Sequence, residues 1–95
     1  MHAYESMFII GSKIPEDQLD TVIAKFEELI TSTGGEIVKT DRLGRRRLAY
    51  QIGEDTEGFY VVLYFNAGPD TVAELERVYK ITDGIVRYLI IRKDD

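Results

Sequence analysis

Three features of this 95-residue sequence predict an α+β fold, with elements in the order β-α-β-β-α-β. Two segments carry apolar residues at three- and four-residue spacing, the period of a helix with one buried stripe. Four others are apolar runs or alternate every second residue, the period of a strand. Short turn signals rich in glycine, proline and aspartate separate them, with no linker long enough to divide the chain. A chain of this length has room for one hydrophobic core, so residues 1–95 are expected to form a single domain.

Tyr4 to Ile10 is the first strand, closed by Gly11-Ser12. Pro15 fits the first turn of a helix, where its missing N–H costs nothing, and Glu16, Asp17 and Asp20 suit that helix's positive end. Leu19, Val22, Ile23, Phe26, Leu29 and Ile30 then make one apolar stripe, and Gly34-Gly35 stops the helix. Glu36 to Leu43 is the second strand. Gly44 interrupts it as a bulge or kink, and Leu48, Tyr50 and Ile52 resume the period of two. Gly53 to Gly58 reads as a polar turn, and Phe59 to Phe65 as the third strand of a long hairpin. Gly68-Pro69-Asp70 opens a second helix with Val72, Leu75, Val78 and Tyr79 on one side, and Thr82-Asp83-Gly84 ends it. Ile85 to Ile91 is the last strand. This order is the ferredoxin-like split βαβ arrangement, a four-stranded antiparallel sheet with both helices on one face.

Such a sheet has one face against the helices and one toward water, and the second should be polar at alternate residues. Here it is not. Phe59, Val61, Leu63 and Phe65 alternate with Tyr60, Val62 and Tyr64; Phe8 and Ile10 alternate with Met7 and Ile9; Val86, Tyr88 and Ile90 alternate with Arg87, Leu89 and Ile91. Either the chain itself covers the second face or it docks another macromolecule, because large apolar patches are uncommon on monomers. The docking reading selects Tyr60, Tyr64, Arg87, Leu89 and Ile91 as partner-binding residues.

With 44% hydrophobic and 31% charged residues, the composition is that of a globular protein rather than a disordered one. The chain contains no cysteine, which excludes disulfides, thiolate metal sites and cysteine nucleophiles. It opens without a signal peptide, and its longest apolar run, residues 59–65, is too short to cross a bilayer as a helix, so a soluble cytoplasmic protein is expected. The formal charge is −5, yet Arg42, Arg45, Arg46 and Arg47 cluster with no acid from 43 to 46; without those four it would be −9. A patch of one sign in an opposing field suits a polyanion. Arginine's planar fork matches phosphate oxygens and stacks on bases. Alternation sends Arg45 and Arg47 to one side of the strand and Arg46 to the other, unless a kink at Gly44 gathers all three, with Tyr50 and Tyr60 near enough to stack. The contrasting reading is a charged edge strand that discourages aggregation.

Catalytic chemistry finds little support. His2 is the only histidine, which argues against a triad or a histidine metal site, and Glu27-Glu28 and Asp94-Asp95 read as solvated acids. No phosphate-cradling glycine loop carries a lysine, and Gly11-Ser12-Lys13 does not replace the anion loop of acylphosphatases. The stretch Glu57 to Tyr64 echoes an RNA-recognition-motif signature but carries Glu57, Tyr60 and Val61 where that signature has its basic, small and stacking residues.

The residues Leu43-Gly44-Arg45-Arg46-Arg47-Leu48-Ala49-Tyr50 are the most specific feature of the chain. With Tyr4-Glu5 before an apolar strand, the double glycine, Ile52, Gly58-Phe59-Tyr60, the Pro69 helix start and the segment Ile81 to Arg92, they make the sequence resemble the bacterial small-subunit ribosomal protein six family over nearly its whole length. The resemblance implies a non-catalytic protein that binds the central domain of small-subunit ribosomal RNA together with a small basic partner, small-subunit ribosomal protein eighteen. It implies no cofactor, metal, membrane or small-molecule substrate. By position it places Arg45, Arg46 and Arg47 at or near RNA, with Tyr4 and Tyr50 in the matching motif, and the charge cluster adds Arg42 as a further RNA-binding candidate. His2-Ala3 stands where the family commonly has a basic residue, and Gln51 where proline is usual. The sequence ends at Asp95 without the longer tail of many relatives, so no tail contact is expected. The alternative on the same strand order is a small-molecule-binding regulatory domain, with ligand contacts in the loop after the first strand.

Overall fold

In the computed structural model, which describes residues 1–94, the chain runs β1 (His2–Gly11), a 3-10 turn (Glu16–Gln18), α1 (Leu19–Ser32), β2 (Glu36–Ile52), β3 (Asp55–Ala67), α2 (Pro69–Ile81) and β4 (Ile85–Arg92). The strands form one antiparallel sheet in the order β2-β3-β1-β4, the expected ferredoxin-like topology. Asp95, the second acid of the tail pair, lies outside the described residues.

Register decides which alternate residues meet the helices. Phe8 sits opposite Val61 on one side and Tyr88 on the other, and Ser6 sits opposite Leu63 and Ile90. Tyr4, Ser6, Phe8 and Ile10 therefore share a face with Val61, Leu63 and Phe65. The apolar stripes of α1 (Leu19, Ile23, Phe26, Ile30) and α2 (Leu75, Val78, Tyr79) close on that face as one core. Each of these side chains contributes roughly 1.5–3 kcal/mol by leaving water. At the centre, Phe26 lies 4.7 Å from Tyr79 and 5.1 Å from Phe8 between ring centroids. Tyr79 brings a hydroxyl into this apolar volume, and Ser6 Oγ satisfies it at 2.8 Å. Burial pushes the Tyr79 phenol pKa well up, with the Ser6 bond opposing, so the group stays neutral.

Three boundaries differ from expectation. Pro15 is the extended residue ahead of the 3-10 turn, and the α-helix starts only at Leu19. No side chain caps the turn, and its tighter bonding takes over, with the Gln18 N–H donating to the Pro15 carbonyl at 2.9 Å. The polar turn shrinks to two residues, because Ile52 pairs with Asp55 and β3 begins there. Polarity in Glu54 to Glu57 marks exposure, not irregular backbone. Finally, β2 is one continuous strand of 17 residues with bulges rather than two pieces.

Gly44 is the bulge that the sequence suggests. Its φ of +92° lies where a side chain is strained, and Leu43 is the extra residue between the pairs Arg42↔Val61 and Gly44↔Tyr60. The inserted residue puts Arg42 and Arg45, three apart, on the same helix-facing side. It does not gather the three consecutive arginines, since Arg46 pairs opposite Gly58 on the outer side.

β1 pairs with β3 only from Gly58 to Ala67, so β2 and β3 run on past the sheet as a two-stranded ribbon. The ribbon bends back over the outer face. Gly58 permits the approach, as a Cβ there would lie 2.2 Å from Ile9 Cγ2. Leu48 settles beside it and is only 7% exposed.

The buried hydroxyl pair gives a test. Tyr79→Phe leaves Ser6 without its partner in the core and should cost about 1–3 kcal/mol in urea unfolding, whereas the double variant with Ser6→Ala should recover most of that loss.

Candidate functional site

The ribbon edge carries the basic cluster, and acids from the helix layer neutralise only part of it. Arg42 donates to the Asp20 carboxylate of α1, and Arg45 Nη2 lies 3.5 Å from Glu16 Oε1 in the 3-10 turn. Both acids are exposed, so such pairs are worth roughly 0.2–1 kcal/mol and are easily exchanged. Arg46 and Arg47 are exposed and form no ion pair among the described residues. A shallow groove along the ribbon runs past Arg47, Tyr50, Gln51, Thr56 and Glu57. The Arg47 guanidinium suits an anionic strand, and Tyr50 supplies a ring at one wall.

The outer sheet face divides in two. Across the strands, one row reads Lys39, Tyr64, Glu5 and Ile91, the next Asp41, Val62, Met7 and Leu89, and the third Gly44, Tyr60, Ile9 and Arg87. The ribbon shelters the third row, and Ile9 is buried beneath it. The other two rows lie open: Leu89 is 50% exposed and Ile91 42%, beside half-buried Tyr64 and Met7. Both readings of this face thus hold in part, with the chain covering one end and an apolar strip remaining at the other. Ion pairs border the strip, Lys93 to Glu5 and Lys39 to Asp41, each at 3.5 Å.

Tyr50 and Arg87, assigned from the sequence to different surfaces, meet. Arg87 donates to the Tyr50 hydroxyl, and its guanidinium carbon lies 5.3 Å from the ring centroid. Tyr60 lines the small cavity beneath them. Tyr4 sits elsewhere. It stacks on Phe65 with centroids 5.6 Å apart and packs against the core. Phe65 is seven residues from the Gly58 level of Arg46, roughly 24 Å along the strand.

Two contacts had no sequence signal. Asp55 anchors the tip of the ribbon, accepting from the Ser12 N–H at 2.9 Å and from the Ser12 hydroxyl at 2.5 Å. These bonds hold its carboxyl below the ordinary value. The same Ser12-Lys13 loop borders a cleft of about 760 Å³, where a small-molecule regulatory domain would place its ligand. Its donors are already engaged, Ser12 by Asp55 and Lys13 Nζ by Asp83 at 2.7 Å, and Glu54 adds further negative charge. Among the described residues no cluster of three or more His, Asp or Glu could hold a metal ion, and no helix is long and apolar enough to cross a membrane.

A split βαβ domain that offers guanidinium groups on a ribbon and an apolar strip on its sheet is built for contact with other macromolecules. The sequence profile of ribosomal protein S6 matches residues 3–92, and the chain belongs to that family, whose members are structural proteins of the small ribosomal subunit and not enzymes. It is 48% identical over 95 residues to small ribosomal subunit protein bS6 of Caldanaerobacter subterraneus subsp. tengcongensis, covering all of both chains. It is 43% identical to the same protein of Heliobacterium modesticaldum, over 100% of this chain and 99% of the other. The crystal structure of 30S ribosomal protein S6 from Thermotoga maritima superposes with a TM-score of 0.92 at 35% identity, covering 97% of this chain and 87% of that one.

The clip at the ribbon tip sets a pH dependence. A carboxyl with a depressed folded pKa adds stability above its unfolded value near 3.9, and that stability is lost as pH falls through the folded pKa. Ser12→Ala should therefore lower stability by about 1 kcal/mol at pH 7. The gap to the unchanged protein should narrow as pH falls below that unfolded value, as read from urea midpoints across an acid series.

Proposed function

We propose that the chain is a cytoplasmic component of the small ribosomal subunit that binds the central domain of small-subunit ribosomal RNA together with small-subunit ribosomal protein eighteen. Family membership supports the setting. The observation that carries the RNA contact is the pair Arg46 and Arg47, exposed and without ion-pair partners among the described residues, on a chain of net charge −5. In this reading they grip phosphate. Arg42 and Arg45 release Asp20 and Glu16 to join them, and Tyr50 borders the groove in which the strand lies. Tyr4 offers a separate contact at the other end of the sheet.

The protein partner takes the open strip of Tyr64, Leu89 and Ile91, with Tyr60 and Arg87 at its border with the ribbon. The strip is apolar with a polar rim, the anatomy of a protein interface. A basic partner is also drawn toward an acidic surface at long range, which favours association without close charge contacts.

Arg46→Gln with Arg47→Gln should weaken binding of a central-domain RNA fragment, measured with the partner present. It should also flatten the log–log salt dependence by roughly 1.4–1.8, two contacts at 0.7–0.9 each. An unchanged slope removes both residues from the RNA contact.

Leu89→Asp introduces a charge at an exposed position of the strip, so the fold should tolerate it. Calorimetric titration with the partner should show at least a tenfold loss of affinity, with the unfolding midpoint within a few degrees of the unchanged protein. Full affinity would place the partner elsewhere.

A further inference from the structure

Beyond Gly58 the ribbon has no third strand, and two-stranded ribbons are marginal by themselves. Its ladder is also broken. Between the pairs Arg47↔Glu57 and Ile52↔Asp55, the residues Leu48 to Gln51 face only Thr56, so they leave the register. Backbone pairing holds Arg46 opposite Gly58 and Arg47 opposite Glu57, but it does not fix the stretch beyond them, which walls the groove next to Arg47. Packing fixes it only in part, since a cavity of about 160 Å³ remains between Met7, Ile9 and Tyr60 of the sheet and Leu48, Tyr50 and Ile52 of the ribbon.

The Asp55–Ser12 bonds hold the ribbon's tip, and what spans the gap behind it is Arg87. It lies in the paired part of β4 opposite Ile9, so its backbone is firmly held. It makes no ion pair with a carboxylate among the described residues. Its guanidinium engages Tyr50 twice, by a hydrogen bond to the hydroxyl and over the ring face. We propose that Arg87 is a positioning residue for RNA binding: it clamps Tyr50, holds the ribbon against the outer sheet face, and so fixes the wall of the groove beside Arg47. This rests on the RNA-binding reading above. The clamp lowers the ordering cost of binding without touching RNA, because a ribbon already held in place has less freedom to lose.

The test uses the full chain, the partner protein and a central-domain RNA fragment, titrated across a salt series. Arg87→Ala and Tyr50→Ala should each lower RNA affinity three- to tenfold with the salt slope unchanged. The double variant should be no weaker than Tyr50→Ala alone, since Arg87 acts only through Tyr50. Tyr50→Phe keeps the ring under the guanidinium and should retain most of the affinity. Without RNA, amide exchange at Leu48 to Gln51 should speed up at least tenfold in Arg87→Ala while exchange at Phe8 and Leu63 stays as it was. RNA affinity should fall by more than any change in affinity for the partner alone, whose surface Arg87 borders. A slope reduced by 0.7–0.9 in Arg87→Ala would make Arg87 a phosphate contact and overturn the clamp. So would a matching loss of partner affinity, additive losses in the double variant, or unaltered exchange at the ribbon. Unaltered RNA affinity in Arg87→Ala, with firm binding by the unchanged protein, would overturn this inference alone; failure of the unchanged protein to bind the RNA would overturn the functional reading and this inference with it.

Discussion

The molecule is shaped by a mismatch of strand lengths. β2 and β3 run for 17 and 13 residues, but β1 and β4 supply only 10 and 8. The sheet can be four strands wide only where all are present. The surplus must end as a ribbon, and an apolar ribbon in water seeks a surface. Leu48 and Tyr50 give this ribbon its apolar side, and Ile9 gives the sheet a matching spot next to a glycine that allows close contact. The division of the outer face into a covered end and an open end follows from that overhang.

Charge is distributed to match. The helix layer reaches Arg42 and Arg45 through Asp20 and Glu16. It does not reach Arg46, which the alternation of the strand turns to the other side, or Arg47, which lies further along the ribbon. A chain that is acidic overall thereby keeps two unmatched guanidinium groups at its far end. The bulge at Gly44 makes this sorting possible, because without the extra Leu43 the parity of every arginine beyond it would reverse.

The periodicities in the sequence were enough for the architecture. The stripe from Leu19 to Ile30 and the alternation in Phe59 to Phe65 are local signals of burial, and both ended in the core or on the sheet as their spacing required. The bulge at Gly44 was also legible, since a lone glycine inside a strand pattern has few other uses. The polar turn was misjudged because polarity reports exposure, and an exposed ribbon is as polar as a loop. The ribbon's return could not be read at all. It depends on where β1 stops along β3, which is a register between segments nearly 50 residues apart. The same holds for Arg87 with Tyr50, 37 positions apart, and for Ser12 with Asp55, 43 apart. Residue types at those positions suggested chemistry, but only the fold decided which of them would meet. The resemblance to the ribosomal family supplied the macromolecular setting that no spacing could.

β1 lies in the interior of the sheet, bonded to β3 on one side and to β4 on the other, with Tyr4 opposite both Phe65 and Arg92. It is the first strand to be synthesised and the last to have both neighbours available. While the chain is being made, one edge of an apolar strand stays open until the final strand has emerged. Pairings this distant in sequence also slow folding relative to helical bundles of similar size. The nascent protein is thus most exposed to wrong pairings late in its synthesis, and the topology that protects β1 in the finished domain leaves it unprotected until then.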